Sequence, residues 1–172
     1  MKLNELEGRP AYAKSYTITT TKESSALFDS VCQVGGQRGW FNSNWMWRAR
    51  GGFDRILFGV GSARGRKNYP VLRTNDVIDF WRVEELRREC RLLLRAEMKL
   101  PGKAWLEFKI DDEGDRRRFT ITAFFHPTGL FGRAYWYAFL PFHYFIFNDL
   151  LAQIERRAQA ECRSGFLASA NR

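Results

Sequence analysis

The sequence has 172 residues, enough for one domain, and its 45% hydrophobic and 27% charged residues are typical of a globular protein. These values exclude collagen-like, disulfide-rich and intrinsically disordered chains. Two totals are unusual: the formal net charge is +9, and aromatic residues make up 16% of the chain. A basic, aromatic-rich domain suggests three kinds of ligand, namely nucleic acid, an anionic membrane surface or a flat apolar molecule.

The first strand and the helices after it occupy the N-terminal half of the chain. Residues 15–21 alternate and are β-branched, which predicts a strand, and residues 24–34 have apolar positions at helical spacing. Residues 42–58 look like a second helical segment, and residues 59–73 read as a basic connection.

Most of the net charge comes from residues 48–73, which carry seven basic residues and one acidic residue. Residues 74–128 hold eleven of each sign. A solvated surface connection explains the basic segment, and so does a docking surface for an anionic membrane, a nucleic acid or a protein. The aromatic residues fall mainly on faces that must be buried, so nucleic acid is the least favoured of these partners.

Four segments of strand length follow one another in the second half of the chain. Apolar and charged residues alternate in the middle two, which predicts an antiparallel meander with one apolar and one polar face. On the polar face we expect Arg95 and Glu97 to form ion pairs with Lys103 and Glu107. The predicted strands are residues 77–84, 91–100, 103–111 and 116–126.

A long C-terminal helix is predicted from about residue 129 to about Ala160, with a kink at Pro141. Its uncharged stretch, residues 134–147, is shorter than the roughly 20 residues needed to span a bilayer, so we expect no transmembrane segment. The order of elements predicts an α+β protein with the helix-grip arrangement. In this arrangement a curved antiparallel sheet wraps a long C-terminal helix, two short helices follow the first strand, and a cavity lies between sheet and helix.

The cysteines and glycines favour neither a metal nor a cofactor. Cys32, Cys90 and Cys162 are far apart, and the chain has two His. Residues 59–61, Gly-Val-Gly, lack the spacing of a dinucleotide-binding loop. We therefore expect neither a metal nor a cofactor.

The acidic N-terminus does not resemble a secretory signal, so we expect a cytoplasmic protein.

Several segments resemble the bacterial family known as domain of unknown function 2867 (DUF2867). The resemblance covers about residues 14–158, and we predict one domain over residues 14–160, with an extension at 1–13 and a tail at 161–172. The family is similar to the START-like, polyketide-cyclase-like (SRPBCC) superfamily, which implies the same helix-grip fold. Its members often follow an NAD(P)-binding domain, which implies a dehydrogenase-like protein as a partner. The resembling segments are residues 35–40, 44–48, 79–83, 94–108 and 127–143.

Two residues are candidates for proton transfer. His143 falls on the apolar stripe of the C-terminal helix, where a core histidine bonded to the sheet is the alternative role. Asp79 lies in a segment with apolar residues on both faces, which makes it a candidate buried carboxylate. The residues predicted to line a ligand cavity are Trp45, Phe80, Trp81, Met98, Phe108, Trp136, Tyr137, Leu140 and His143.

These features support three hypotheses of function. The first is a domain that binds an apolar or aromatic small molecule, or a lipid, between the sheet and the C-terminal helix. The second is a cyclase- or dehydratase-like enzyme that uses His143 or Asp79, although no recognisable catalytic constellation is present. The third is an interaction module that docks a dehydrogenase-like partner or an anionic surface through residues 48–73.

Overall fold

The computed structural model describes residues 2–3, 10–35 and 72–170, with side chains as far as residue 158. The helices and strands of this part of the chain are β1 Tyr12–Thr20, α1 Ser24–Cys32, β2 Val77–Ile78, β3 Trp81–Arg87, β4 Arg91–Ala96, β5 Gly102–Asp112, β6 Arg117–Pro127 and α2 Gly129–Ala170. The strands form one antiparallel sheet in the order β1-β6-β5-β4-β3-β2. The predicted α+β class with a helix-grip arrangement is confirmed. The second helical segment, residues 42–58, lies outside the described residues.

The core lies between α2, α1 and one face of the sheet. Cross-strand partners on this inner face include Leu94 with Leu106, and Phe108 with Ile121. All four side chains are almost fully buried. Burial of a large apolar side chain contributes roughly 1.5–3 kcal/mol, so these pairs fix which face of the sheet meets the helices.

The outer face is less polar than the alternation predicted. Leu93 and Trp105 lie on this face, and they are 3% and 1% exposed. The register shifts beside Glu84, between β3 and β4. The Glu84 carboxylate accepts hydrogen bonds from Trp105 Nε1 at 3.2 Å and from the backbone N–H of Leu3 at 2.5 Å. Part of the outer face is therefore an apolar patch beside residue 3.

The ion pairs of the outer face differ from those predicted. Arg91 is the partner of Glu107, at 2.6 Å, because these residues are diagonal neighbours in the register of β4 and β5. Glu97 lies 2.5 Å from Arg82 and 3.7 Å from Arg95. Such half-exposed pairs contribute little stability each, about 0–1 kcal/mol.

Two predicted strands differ from their expected bounds. The segment 77–84 is divided by a turn at Asp79 and Phe80, where Asp79 has φ 56°, so that Ile78 pairs with Trp81 across the turn. Aspartate adopts this left-handed conformation more readily than most residues. The segment 91–100 leaves the sheet after Ala96, as the chain approaches Pro101, which has no backbone N–H to donate.

Helix α2 runs lengthwise along β1. Tyr12 contacts Trp136, and Tyr16 contacts Phe147. The helix continues to Ala170, beyond the expected end near residue 160, with Pro141 inside it. Whether Pro141 kinks the helix stays a prediction. Given the contacts of Tyr12 and Tyr16, β1 and α2 run in the same direction. Together with β6 they form a layer, called the sheet–helix layer below, with one end near Tyr12 and the other near Thr20.

Candidate functional site

An aromatic cluster lies at the end of the layer where β1 and α2 begin. Tyr12 and Phe125 are cross-strand partners on β1 and β6. The Trp136 ring stacks on both, with centroid distances of 5.6 Å to Tyr12 and 5.8 Å to Phe125 and interplanar angles of 10° and 6°. The antiparallel register thus places two rings side by side, and the first turns of α2 set a third ring over them.

His143 extends this cluster along the helix. Its imidazole lies 5.2 Å from the Trp136 ring at 64° and 5.2 Å from the Phe147 ring at 35°. The side chain is half-buried, and its Nδ1 is out of contact with solvent. An imidazole in this position can carry a proton or a hydrogen bond next to an aromatic surface.

Two tyrosine pairs border the cluster on one flank of α2. Tyr12 meets Tyr137 edge-on at 5.7 Å, and Tyr16 meets Tyr144 at 6.3 Å. Burial raises the pKa of the Tyr12 phenol, and its hydrogen bond with Tyr137 raises it further. Burial also raises the pKa of Tyr16, with Tyr144 as the smaller cause. The phenols of Tyr12 and Tyr16 therefore lose their protons less readily than a free tyrosine does.

The structure brings several of the predicted ligand residues to this end of the layer. Trp136, Leu140 and His143 lie on the side of α2 that faces the sheet, where Leu140 and His143 are half-buried. Phe108 lies on the same face of the sheet and is 2% exposed. Tyr137 is on the flank and is 60% exposed, so it borders the cluster rather than facing the core.

The other predicted ligand residues lie elsewhere. Phe80 and Trp81 lie in and after the β2–β3 turn, with ring centroids 5.5 Å apart. Met98 follows the end of β4 and is half-buried. These residues border the opposite edge of the sheet from β1. Trp45 lies outside the described residues, as does the basic segment 48–73 apart from Leu72 and Arg73.

The two candidates for proton transfer have different surroundings. Asp79 lies in the β2–β3 turn, next to Gly35, which follows the end of α1 by three residues. A Cβ atom at Gly35 would lie 3.1 Å from Asp79 Oδ2. His143 lies among aromatic rings over β1 and β6. Asp79 and His143 thus lie over opposite edges of the sheet, so they do not form an acid–base pair with each other.

Three rings at this end of the layer are not among the predicted ligand residues: Tyr12 and Phe125 of the cluster, and Tyr16 beside it. Tyr12 precedes the predicted start of the first strand and falls within the predicted N-terminal extension, residues 1–13. Phe125 shares the period-two alternation of Ile121 in β6, and this pattern could have identified it as an inner-face residue. The pairing of β1 with β6, which joins these rings, is a contact between distant parts of the chain.

Two further features bear on the class of site. No group of three or more potential ligand residues (His, Cys, Asp or Glu) that could hold a metal ion occurs within residues 2–3, 10–35 and 72–158. In the described part of the chain, no helix is long and apolar enough to cross a membrane. The expected cytoplasmic location stays a prediction.

Comparison with family models identifies the chain. Residues 6–150 match the model described as "Protein of unknown function (DUF2867)", which covers most of the sequence. The protein therefore belongs to the DUF2867 family, as the sequence motifs predicted. Among curated proteins, none matches this sequence.

Several solved structures are similar to this chain. One is the ZhuI aromatase/cyclase from Streptomyces sp. R1128, at 14% identity and a TM-score of 0.48, covering 85% of this chain and 94% of that one. Another is a START superfamily protein from Mycobacterium smegmatis, at 9% identity and a TM-score of 0.42, covering 88% and 97%. A third is TTHA0849 from Thermus thermophilus, at 11% identity and a TM-score of 0.49, covering 87% and 99%.

Proposed function

We propose that the protein binds a flat apolar or aromatic small molecule between the inner face of the sheet and the first half of α2. The observation that carries this proposal is the stack of Trp136 on Tyr12 and Phe125, with the half-buried His143 beside it. Offset stacking of rings is favourable by about 0.5–1.5 kcal/mol beyond burial. A flat ligand can add a further ring to this stack wherever one of the protein rings remains accessible.

The polar groups around the stack support an uncharged ligand. Tyr12 and Tyr16 carry neutral phenols whose pKa values burial raises further, and a neutral phenol has an O–H donor and an oxygen acceptor. His143 adds a ring nitrogen beside Trp136. A few polar groups on an apolar lining orient a small molecule without requiring it to carry charge.

The test uses N-phenyl-1-naphthylamine, a neutral aromatic probe whose fluorescence rises in apolar surroundings, and two matched variants on one helix. Leu140→Gln places an amide on the side of α2 that faces the sheet, whereas Phe145→Gln makes the same replacement at a side chain that is 63% exposed. We expect Leu140→Gln to weaken probe binding about tenfold, because an apolar probe that covers this half-buried position must desolvate the amide. Phe145→Gln should leave the affinity within about twofold of the parent.

The same titration decides the proposal. Circular dichroism of both variants establishes that they remain folded. A probe that fails to bind the parent protein, or that binds both folded variants equally well, contradicts a site between the sheet and α2.

Proton transfer by His143 is the second candidate function, because its Nδ1 is buried beside a ring surface that could hold a substrate. It uses the same site as ligand binding. A His143→Gln variant that binds the probe like the parent but no longer converts a bound compound recovered from cells would favour the enzyme. Recovery of the same unchanged compound from both proteins would favour a binding domain.

A further inference from the structure

A second concave site lies at the other end of the sheet–helix layer. It is a polar groove of about 420 Å³, lined by residues 19–22 at the end of β1, Arg116 just before β6, and Glu155 and Arg156 of α2. Its position follows from the parallel course of β1 and α2. At about 3.3 Å per strand residue, Tyr12 and Thr20 are about 26 Å apart, and α2 covers a similar length between Trp136 and Glu155 at about 1.5 Å per residue.

The groove has an excess of positive charge. Lys22, Arg116 and Arg156 contribute three cations, against one carboxylate from Glu155. None of these three cations forms an ion pair with another residue of the described chain. Unpaired cations that converge on one concave surface repel each other, and an anion between them relieves that repulsion.

The acidic residues next to the groove are engaged with other arginines. Arg117 lies 3.1 Å from Glu23 and 3.6 Å from Asp112. Arg118 pairs with Glu113 in the β5–β6 turn. These pairs hold three nearby carboxylates outside the groove, which leaves its own cations available to a ligand.

Threonine hydroxyls complete the lining. Thr20 is 6% exposed, and its Oγ1 accepts the backbone N–H of Lys22 at 3.2 Å. This bond fixes the turn that carries Lys22. Thr19 and Thr21 are exposed beside it and offer O–H donors to a bound oxyanion.

We propose that this groove binds a phosphate monoester. The arginine guanidinium matches the geometry of phosphate oxygens, with two parallel N–H···O bonds, and Lys22 adds a third cation for a group that carries nearly two negative charges at neutral pH. The groove is larger than a bare phosphate ion, so it has room for the rest of a monoester, its carrier. Glu155 lies in the same lining, where it accepts a hydrogen bond from a hydroxyl or amine of that carrier.

The phosphate monoester could belong to a soluble molecule or to a lipid headgroup, and one experiment with two arms distinguishes these sources. Isothermal titration calorimetry of the full chain with glycerol 1-phosphate, and with glycerol as the uncharged control, measures binding of a soluble ester. Co-sedimentation with phosphatidylcholine vesicles that contain phosphatidic acid measures binding of the same group on a lipid. Vesicles with phosphatidylglycerol, a diester, provide a matched anionic control.

Two arginines on one helix separate a local site from the overall charge of the chain. Arg156→Gln removes a cation from the groove, and Arg133→Gln removes one near the start of α2, so both variants have the same net charge. Both side chains are exposed, so the variants should keep the parent's Tm. We expect Arg156→Gln to weaken binding of the monoester about tenfold and Arg133→Gln to change it less than twofold.

Each outcome has a definite meaning. Binding of glycerol 1-phosphate that depends on Arg156 supports the proposal with a soluble ligand. Binding only to phosphatidic acid vesicles, again with the loss confined to Arg156→Gln, supports it with a lipid headgroup. No binding in either arm, equal losses in the two variants, or equal binding to phosphatidylglycerol overturns it. The aromatic cluster takes no part in this site, so its probe binding should be unaffected by Arg156→Gln.

Discussion

The two ends of the layer formed by β1, β6 and α2 are built from the same elements but present opposite chemistry. At the aromatic end, Tyr12, Phe125 and Trp136 stack on one another. At the cationic end, the same strand finishes in threonines and Lys22, and the same helix presents Glu155 and Arg156. One pair of elements can therefore carry two sites, because the side chains change along its length while the backbone register does not.

The ends should differ most in how much their side chains stabilise the fold. Trp136 is 6% exposed, and its replacement by alanine should cost about 4 kcal/mol, because it removes a large buried ring and leaves a cavity. Arg156→Ala, at an exposed position, should change the free energy of unfolding by less than about 0.5 kcal/mol. Urea denaturation of both variants measures the difference. Equal losses would mean that the aromatic end is not part of the core.

Two glycines provide a second contrast, with a smaller effect. A Cβ atom at Gly132, in the first turn of α2, would lie 2.3 Å from the Pro101 carbonyl oxygen and 2.9 Å from Pro127 Cβ. Gly132→Ala should therefore destabilise the protein by about 3 kcal/mol, because backbone and a rigid ring must move. Gly114, in the β5–β6 turn, has φ +80° and open space around it, so Gly114→Ala should cost only about 1 kcal/mol of backbone strain.

The measurement for this pair is the shift in the midpoint of urea unfolding, with slopes compared to exclude a change in the unfolded state. A larger shift for Gly114→Ala than for Gly132→Ala would contradict the close approach of α2 to the β5 and β6 ends. That approach holds Trp136 over the sheet.

Alkaline pH should produce the smallest effect, and it should arise at the aromatic end. The pKa values of Tyr12 and Tyr16 are raised above 10.0 in the folded protein, so the unfolded state loses these protons first. Between pH 10.0 and the raised values the folded state binds more protons than the unfolded state, and stability falls as pH rises. Below pH 10.0 these phenols contribute no pH dependence.

Urea unfolding at pH 8, 10 and 11 tests the sign of this effect, and Tyr16→Phe should reduce the loss of stability. Tyr137→Phe, at a side chain that is 60% exposed, is the comparison variant for the hydrogen bond to Tyr12. Stability that rises with pH above 10, or an undiminished loss in Tyr16→Phe, would exclude the tyrosines as its source.

Much of the fold could be predicted from local patterns. Period-two alternation identified β5 to within one residue at each end, because its inner face is apolar and most of its outer face is polar. The predicted segment 116–126 likewise agrees with β6 to within one residue. The same rule failed at residues 77–84, where a two-residue turn at Asp79 interrupts an apolar run. It also failed on the outer face at Trp105, which is 1% exposed and donates a hydrogen bond to Glu84, a residue of another strand.

The candidate site was only partly predictable for the same reason. The stripe that contains Trp136, Leu140 and His143 follows from helical spacing within one element. Tyr12 and Phe125 come together only because β1 pairs with β6, more than 100 residues later. The cationic groove likewise joins three elements, and the sequence alone does not show that Lys22, Arg116 and Arg156 lie together.

The most direct test of two distinct sites is an amide NMR titration of one isotope-labelled sample with each probe in turn. N-phenyl-1-naphthylamine should shift the amides of Tyr12, Phe125 and residues 136–143, and glycerol 1-phosphate those of residues 19–22, Arg116 and Arg156. Shifts that segregate in this way, and that persist when the other probe is already bound, are the predicted result. Shifts from the aromatic probe that avoid residues 136–143, or that coincide with those from the phosphate, would contradict a ligand site between the sheet and α2.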